Sequence, residues 1–146
     1  MKPTFQVQLK IRKPVGEVFD AVADPKQLSG YFVQAASGPL EAGKTVMWRF
    51  AEVAGEYPVV VREVVRNERI VFEWDAPDKR YSIRVEMAFK PLDASNTMVQ
   101  VSEAGWRDDA KSIANSYGNA GGWMHMMLCL KGYLEYGINL RAGSAF

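Results

Sequence analysis

Apolar and polar residues alternate along much of the first hundred positions, which is the period of a β-strand with one buried face. The alternation is clearest between Tyr81 and Lys90. At Val64 and Val65 the phase slips by one residue, which predicts a β-bulge. The segments that predict strands are 5–11, 46–50, 57–65, 70–74, 81–90 and 97–103.

Helical spacing appears between the first two strand segments. Apolar residues at positions i, i+3, i+4 and i+7 run from Val15 to Val22, which predicts a short amphipathic helix. Asp24 and Pro25 then fit the N-cap and first position of a second short helix, which ends near Leu28.

The last predicted element is a long helix over residues 121–136, with a wide apolar face of methionine and aromatic side chains. Gly118, Gly121 and Gly122 stand at its start, and each costs about 1 kcal/mol relative to alanine inside a helix. We therefore expect a loop or kink at residues 118–122, with a mobile entrance there; a plain helix start after a loop is the alternative. The whole order predicts an α+β fold, in which a long helix covers a curved antiparallel sheet of six to seven strands.

Composition and charge narrow the classes of function. The 146 residues are 48% hydrophobic and 24% charged, which is typical of a single domain over residues 1–146. A net charge of +1 gives no basis for binding nucleic acid or an anionic membrane, and no apolar run is long enough for a membrane span. One cysteine and one histidine exclude an intramolecular disulfide and the common metal sites. Since the chain enters its first strand without a signal peptide, we expect a cytoplasmic protein without metal or cofactor, either a monomer or a homodimer.

Several weak motifs follow one another in an order that resembles a known family. They are the segment 17–21, Asp24-Pro25 with Leu28 and Tyr31-Phe32, Gly43 with Trp48, the segment 63–74, and Gly122-Trp123 with Leu128, Leu130 and Leu134. This order resembles the family named for activators of the heat-shock chaperone ATPase, a branch of the START-like, birch-pollen-allergen-like superfamily that includes polyketide cyclases. The resemblance implies a helix-grip fold with a cavity between sheet and last helix. It implies small-ligand binding as the commonest role, with cyclase or hydrolase chemistry in some members and chaperone regulation in a few.

Large aromatic residues share the strand phase that would face the last helix. In a helix-grip fold this face lines the cavity, whereas in an ordinary domain the same side chains only fill a core. Methionines on the helix can adapt to several ligands or can fill gaps in the packing. The predicted ligand-binding residues are Phe32, Trp48, Phe50, Phe72, Trp74, Tyr81, Ile83, Val101, Glu103, Trp123, Met124 and Met127.

Glu103 is the candidate catalytic residue. It shares the strand phase of Val99 and Val101, so its side chain is expected to point inward, where burial would raise its pKa and suit it to proton transfer. The alternative is that the strand has ended and Glu103 is solvated. His125 and Cys129 lie four residues apart on one helix face and could form a nucleophilic pair. No third residue that would orient the histidine is evident, so a core histidine and an inert thiol are the favoured interpretation.

The sequence therefore predicts a domain that binds a small, largely apolar molecule. A binding protein is favoured over an enzyme because the chain shows no nucleophilic triad, metal set or phosphate-binding glycine loop. The first alternative is a cyclase- or aromatase-type enzyme acting in the same cavity. The second is a chaperone ATPase-regulating domain, which the charge pattern does not support because the chain has no charged block.

Overall fold

The structure, a computed structural model, describes residues 2–144. Within them, seven antiparallel strands form one sheet in the spatial order β1-β7-β6-β5-β4-β3-β2, and a long helix follows the last strand. The predicted α+β helix-grip fold is confirmed. The elements are β1 (Phe5–Ile11), α1 (Val15–Ala23), α2 (Pro25–Leu28), β2 (Ala35–Ala36), β3 (Thr45–Arg49), β4 (Tyr57–Val65), β5 (Arg69–Asp75), β6 (Ser82–Asp93), β7 (Asn96–Ala104) and α3 (Ala110–Tyr136).

The two short helices form where their spacing and caps predict. Helix α1 buries Val18, Phe19 and Val22 against the sheet. The carboxylate of Asp24 accepts a hydrogen bond of 3.0 Å from the backbone N–H of Lys26, which caps α2. Strand β4 contains a bulge, as predicted, but it lies between Val61 and Glu63 and not at Val64 and Val65.

Helix α3 is continuous over 27 residues, so the expected break at residues 118–122 is wrong, and so is a helix start at the glycine pair. The helix begins about three turns earlier, at Ala110, because the carboxylate of Asp109 accepts a hydrogen bond of 2.9 Å from the backbone N–H of Ser112. Buried side chains on both sides of the glycines, from Ser116 to Trp123, hold this segment in the helix. Gly137 ends α3 in the left-handed conformation that suits glycine, with φ of 67°.

The C-terminal half of α3 is attached to β1 by an ionic cluster. The carboxylate of Glu135 accepts hydrogen bonds from the backbone N–H and side chain of Arg12 and from the ammonium group of Lys131. These partners outweigh the effect of burial and lower the pKa of Glu135 to about 2. Within residues 2–144, no helix is both long and apolar enough to cross a membrane.

Candidate functional site

Aromatic rings from three strands, from the α2–β2 connection and from α3 pack together between the sheet and α3. The centroids of Trp48 and Phe72 lie 5.5 Å apart, and those of Trp74 and Trp123 lie 5.4 Å apart. Trp48 and Phe72 are fully buried beneath this cluster, whereas Trp74 is only half-buried. The cluster is therefore closed toward the sheet and open on one side.

On that open side the cluster borders a groove, which we call the aromatic groove. Its first part, of about 200 Å³, lies between α3 and the β3–β4 connection and is lined by Phe32, Phe50, Trp74 and Trp123 among others. Its second part, of about 340 Å³, runs toward the β5–β6 loop. Phe50, Val53, Trp74 and Asn119 line both parts, so the two parts adjoin at these residues, which we call the junction.

Glycines form part of the helical wall of the groove. Gly118 and Gly122 are one turn apart on α3, and both line the first part. A Cβ atom added at either position would meet no atom within 4 Å beyond its own neighbourhood. The same is true of Gly121, which does not line the groove. The glycines thus leave open space beside the rings of Trp74 and Trp123.

Glu103 lies directly behind the groove wall. It is 1% exposed, as its inward strand phase predicts, and its Oε2 atom accepts a hydrogen bond of 2.7 Å from the indole Nε1 of Trp123. The side-chain amide of Asn119 donates to both carboxylate oxygens, at 3.1 and 3.3 Å. Trp123 and Asn119 line the groove on their other sides, so Glu103 is one side chain removed from any ligand in it.

Burial raises the pKa of Glu103, because it removes water that would stabilise the charged form. The hydrogen bonds from Trp123 and Asn119 act in the opposite direction, as do the indole groups of Trp74 and Trp106, but they do not cancel the effect of burial. Within residues 2–144, the buried Nε1 atoms of Trp74 and Trp106 have no hydrogen-bond partner of good geometry. The carboxyl group is therefore surrounded by neutral N–H donors.

The structure divides the predicted ligand-binding residues into three groups. Phe32, Phe50, Trp74 and Trp123 line the aromatic groove. The second group belongs to the packed core and does not line the groove. Its buried members are Trp48, Phe72, Ile83, Val101 and Met127. Met124 is partly buried against the same core. Tyr81 belongs to a small separate cluster with Trp106, and its hydroxyl group donates to Ser112 at 2.8 Å. A ligand contact at any of these residues remains a prediction.

An ion pair at one end of the groove has no counterpart in the sequence analysis. Arg141 donates to the Glu52 carboxylate at 2.7 Å, and the two side chains are only 12% and 3% exposed. The Arg141 guanidinium also lies 5.6 Å from the centroid of the Phe32 ring. No periodicity connects residues 89 positions apart, so sequence patterns could not have found this pair.

His125 and Cys129 are in contact, with 3.5 Å between Nε2 and Sγ. Burial raises the pKa of the Cys129 thiol, which disfavours the thiolate that a nucleophile needs. This direction favours the interpretation of an inert thiol, which stays a prediction. Among residues 2–144, no three His, Cys, Asp or Glu side chains are arranged to hold a metal ion.

Comparison with known proteins bears on this arrangement. The sequence profile of the Activator of Hsp90 ATPase homolog 1-like protein family matches residues 12–135. The chain belongs to this family. The match covers all but the first strand, the end of α3 and the tail; it includes Trp123 and Asn119, which hold Glu103, and the groove-lining residues other than Arg141. No curated protein sequence matches the chain.

Solved structures share the fold of this family member along most of its length. Protein SSP2350 from Staphylococcus saprophyticus is 28% identical with a TM-score of 0.81, over 95% of this chain and 96% of that one. The Aha1 dimer from Colwellia psychrerythraea is 18% identical with a TM-score of 0.77, over 92% and 98%. DynU16, from the dynemicin biosynthetic locus, is 23% identical with a TM-score of 0.78; the match covers 92% of this chain and 48% of that one.

Proposed function

We propose that this protein binds a small, largely apolar molecule in the aromatic groove. The observation that carries the proposal is the groove itself, which is lined by the rings of Phe50, Trp74 and Trp123 and by the glycines of α3. Its two adjoining parts, of about 200 and 340 Å³, together have the size of a small-molecule site. A flat apolar ligand placed there would stack on aromatic surface that the protein already holds in position.

The glycines of α3 support this proposal on energetic grounds. Each glycine weakens a helix by about 1 kcal/mol relative to alanine. Neither Gly118 nor Gly122 is required by the packing of the protein itself, since a Cβ atom at either position would meet no atom within 4 Å. The space that they leave open is the groove, so a bound ligand gives them a role that the packing of the protein does not.

The few polar groups of the groove would fix a ligand's orientation. Asn119 lies at the junction, while His125 and the Arg141–Glu52 pair line the first part. A small number of polar groups in a largely apolar site is the usual composition of a small-molecule site.

A titration with N-phenyl-1-naphthylamine, a neutral dye whose emission rises in apolar surroundings, tests this proposal. We expect saturable binding of one dye per chain to the native protein, with quenching of tryptophan emission because Trp74 and Trp123 line the groove. Native mass spectrometry of protein purified from its own host should show a bound small molecule that the dye displaces. Dye binding that appears only when the protein begins to unfold would contradict the proposal.

A cyclase-type enzyme is the second candidate, and Glu103 is the observation that favours it. A carboxyl group with a raised pKa that touches two groove-lining residues is suited to proton transfer once a movement of Trp123 brings it into contact with the ligand. DynU16 comes from a biosynthetic locus, which agrees with this class of function. Once a ligand is identified, its conversion by the native protein and not by Glu103→Gln would establish that the protein is an enzyme. If the ligand is unchanged after incubation with either protein, ligand binding is the only function that the result supports.

A further inference from the structure

The carboxyl group of Glu103 is not matched by a cation. None of the ion pairs formed within residues 2–144 includes it, and the neighbours that act most on its ionisation are the neutral side chains of Trp123, Asn119, Trp74 and Trp106. A buried carboxylate with hydrogen bonds but no counter-ion attracts positive charge strongly, because little water is present to screen it.

Aromatic faces stand on the groove side of this carboxylate. The rings of Trp74 and Trp123 lie 5.4 Å apart and both line the groove. A cation that is placed over the face of a tryptophan is attracted by the ring's quadrupole, more strongly than over phenylalanine or tyrosine. The hydrogen bond from the Trp123 indole to Glu103 polarises that indole toward greater electron density, which strengthens this attraction.

These observations point to the chemical class of the ligand. Building on the proposed binding function, we infer that the ligand is an apolar molecule that carries a protonated amine. The amine lies at the junction of the groove, over the ring of Trp74 and beside Asn119, whose amide group contacts Glu103 at 3.1 Å. The apolar part of the ligand occupies the first part of the groove, along the glycines of α3.

The other charges of the groove agree with this placement. Arg141, at one end, is already paired with Glu52 at 2.7 Å, so that end is close to neutral. At the other end Lys79 is accompanied by two exposed carboxylates, Glu56 and Asp75. The junction between the two ends contains no charged side chain, and Glu103 is the charge behind it.

Three probes with the same ring system test the inference by calorimetry at pH 7. They are 1-naphthylmethylamine, which is cationic, 1-naphthylmethanol, which is neutral, and 1-naphthaleneacetate, the anion of the carboxylic acid. We expect the amine to bind about tenfold more tightly than the alcohol, and the acetate to bind most weakly. Equal affinities for amine and alcohol would overturn the inference and leave the proposed apolar binding intact. Tightest binding of the acetate would also overturn it and would assign the recognition to Arg141. Binding of none of the three would refute the inference and the proposed function together.

Two variants test whether Glu103 causes the preference for the amine over the alcohol. Glu103→Gln should reduce the advantage of the amine over the alcohol to about twofold or less, while the alcohol binds as before. Glu41→Gln is the matched control, because it removes an exposed carboxylate that lines neither part of the groove. The amine should keep its full advantage in that variant. Loss of the advantage in Glu41→Gln, or its persistence in Glu103→Gln, would contradict the assignment to Glu103.

A measurement on the native protein does not depend on the folding of any variant. In a crystal structure of the amine complex, the ammonium nitrogen should lie within about 6 Å of the centroid of the Trp74 ring, which is the range of a cation–π contact. An ammonium group at the Glu52 end, or in solvent beyond Lys79, would overturn the inference.

Discussion

The indole Nε1 atom of Trp123 lies 2.7 Å from Oε2 of Glu103, and this hydrogen bond joins the long helix α3 to β7, the last strand in the chain. Both side chains are buried, at 3% and 1% exposure. The same indole ring lines the aromatic groove. One contact thus links the attachment of α3 to the sheet, the ionisation of a buried carboxyl group and the wall of the proposed binding site.

Replacement of Glu103 by glutamine should stabilise the protein at neutral pH. A carboxyl group whose pKa is raised by folding destabilises the native state when it ionises. This penalty is absent below the unfolded-state pKa of about 4.3, grows as the pH rises toward the folded-state pKa, and is complete above it. Glutamine keeps an oxygen that can accept from Trp123, so we expect a gain of about 1 kcal/mol at pH 7 and no gain at pH 4. Urea melts at both pH values measure this.

The control for that experiment is Glu103→Leu. It removes the charge but also the acceptor, and leaves the Nε1 group of Trp123 buried without a partner. This variant should be less stable than Glu103→Gln at every pH. Equal stability of the two variants would mean that the hydrogen bond from Trp123 contributes nothing.

Removal of the Trp123 side chain should be far more damaging. Trp123→Ala leaves a large cavity between α3 and the sheet and should cost about 3–5 kcal/mol of unfolding free energy. Trp123→Phe fills most of that space but lacks the N–H donor. Its loss of unfolding free energy should be smaller, and that loss reflects mainly the contribution of the hydrogen bond to Glu103. A cost below about 1 kcal/mol for the alanine variant, measured by denaturant unfolding, would mean that Trp123 does not anchor the helix.

The ionic cluster at the end of α3 should make stability depend on pH in acid. Folding lowers the pKa of Glu135 to about 2, so its contribution is complete above the unfolded-state value and is lost as the pH falls from about 4.5 to about 2. Glu135→Gln should therefore cost about 2 kcal/mol at pH 7 and almost nothing at pH 2. Glu41→Gln, at an exposed position, is the control and should have no comparable effect. An equal loss for Glu135→Gln at both pH values would exclude the ionic explanation.

The glycines of α3 should respond to alanine according to their surroundings. Gly121→Ala should raise the unfolding free energy by about 0.5–1 kcal/mol, because helix propensity improves and the new Cβ atom meets nothing within 4 Å. At Gly132 the new Cβ atom would lie 3.0 Å from Leu140 Cδ1, so Gly132→Ala should gain less or lose stability. Thermal melts of Gly121→Ala test whether residues 118–122 are helical in solution, and those of Gly132→Ala test the close contact with Leu140.

The sequence was sufficient for six of the seven strands and for the short helices, because each depends on a local period or cap; the two-residue strand β2 is too short to show a period. The strand phase pointed Glu103 inward but left a solvated strand end open, and the structure buries it. It failed at residues 109–122, where glycine propensity predicts a break and tertiary packing of Ser116 and Trp123 overrides it. Asn119 was missed for that reason, since its contact with Glu103 exists only if the helix is continuous. The Arg141–Glu52 pair was missed because nothing local relates the two residues.

The most direct test of the central claim compares Gly122→Leu with Gly121→Leu in a titration with N-phenyl-1-naphthylamine. The two positions are neighbours in one helix, and a Cβ atom at either meets nothing within 4 Å, but only Gly122 lines the aromatic groove. The account predicts that leucine at position 122 fills the groove and weakens dye binding at least tenfold, while leucine at position 121 leaves it within about twofold of the native protein. Equal dye affinity in both variants would contradict the assignment of ligand binding to the aromatic groove.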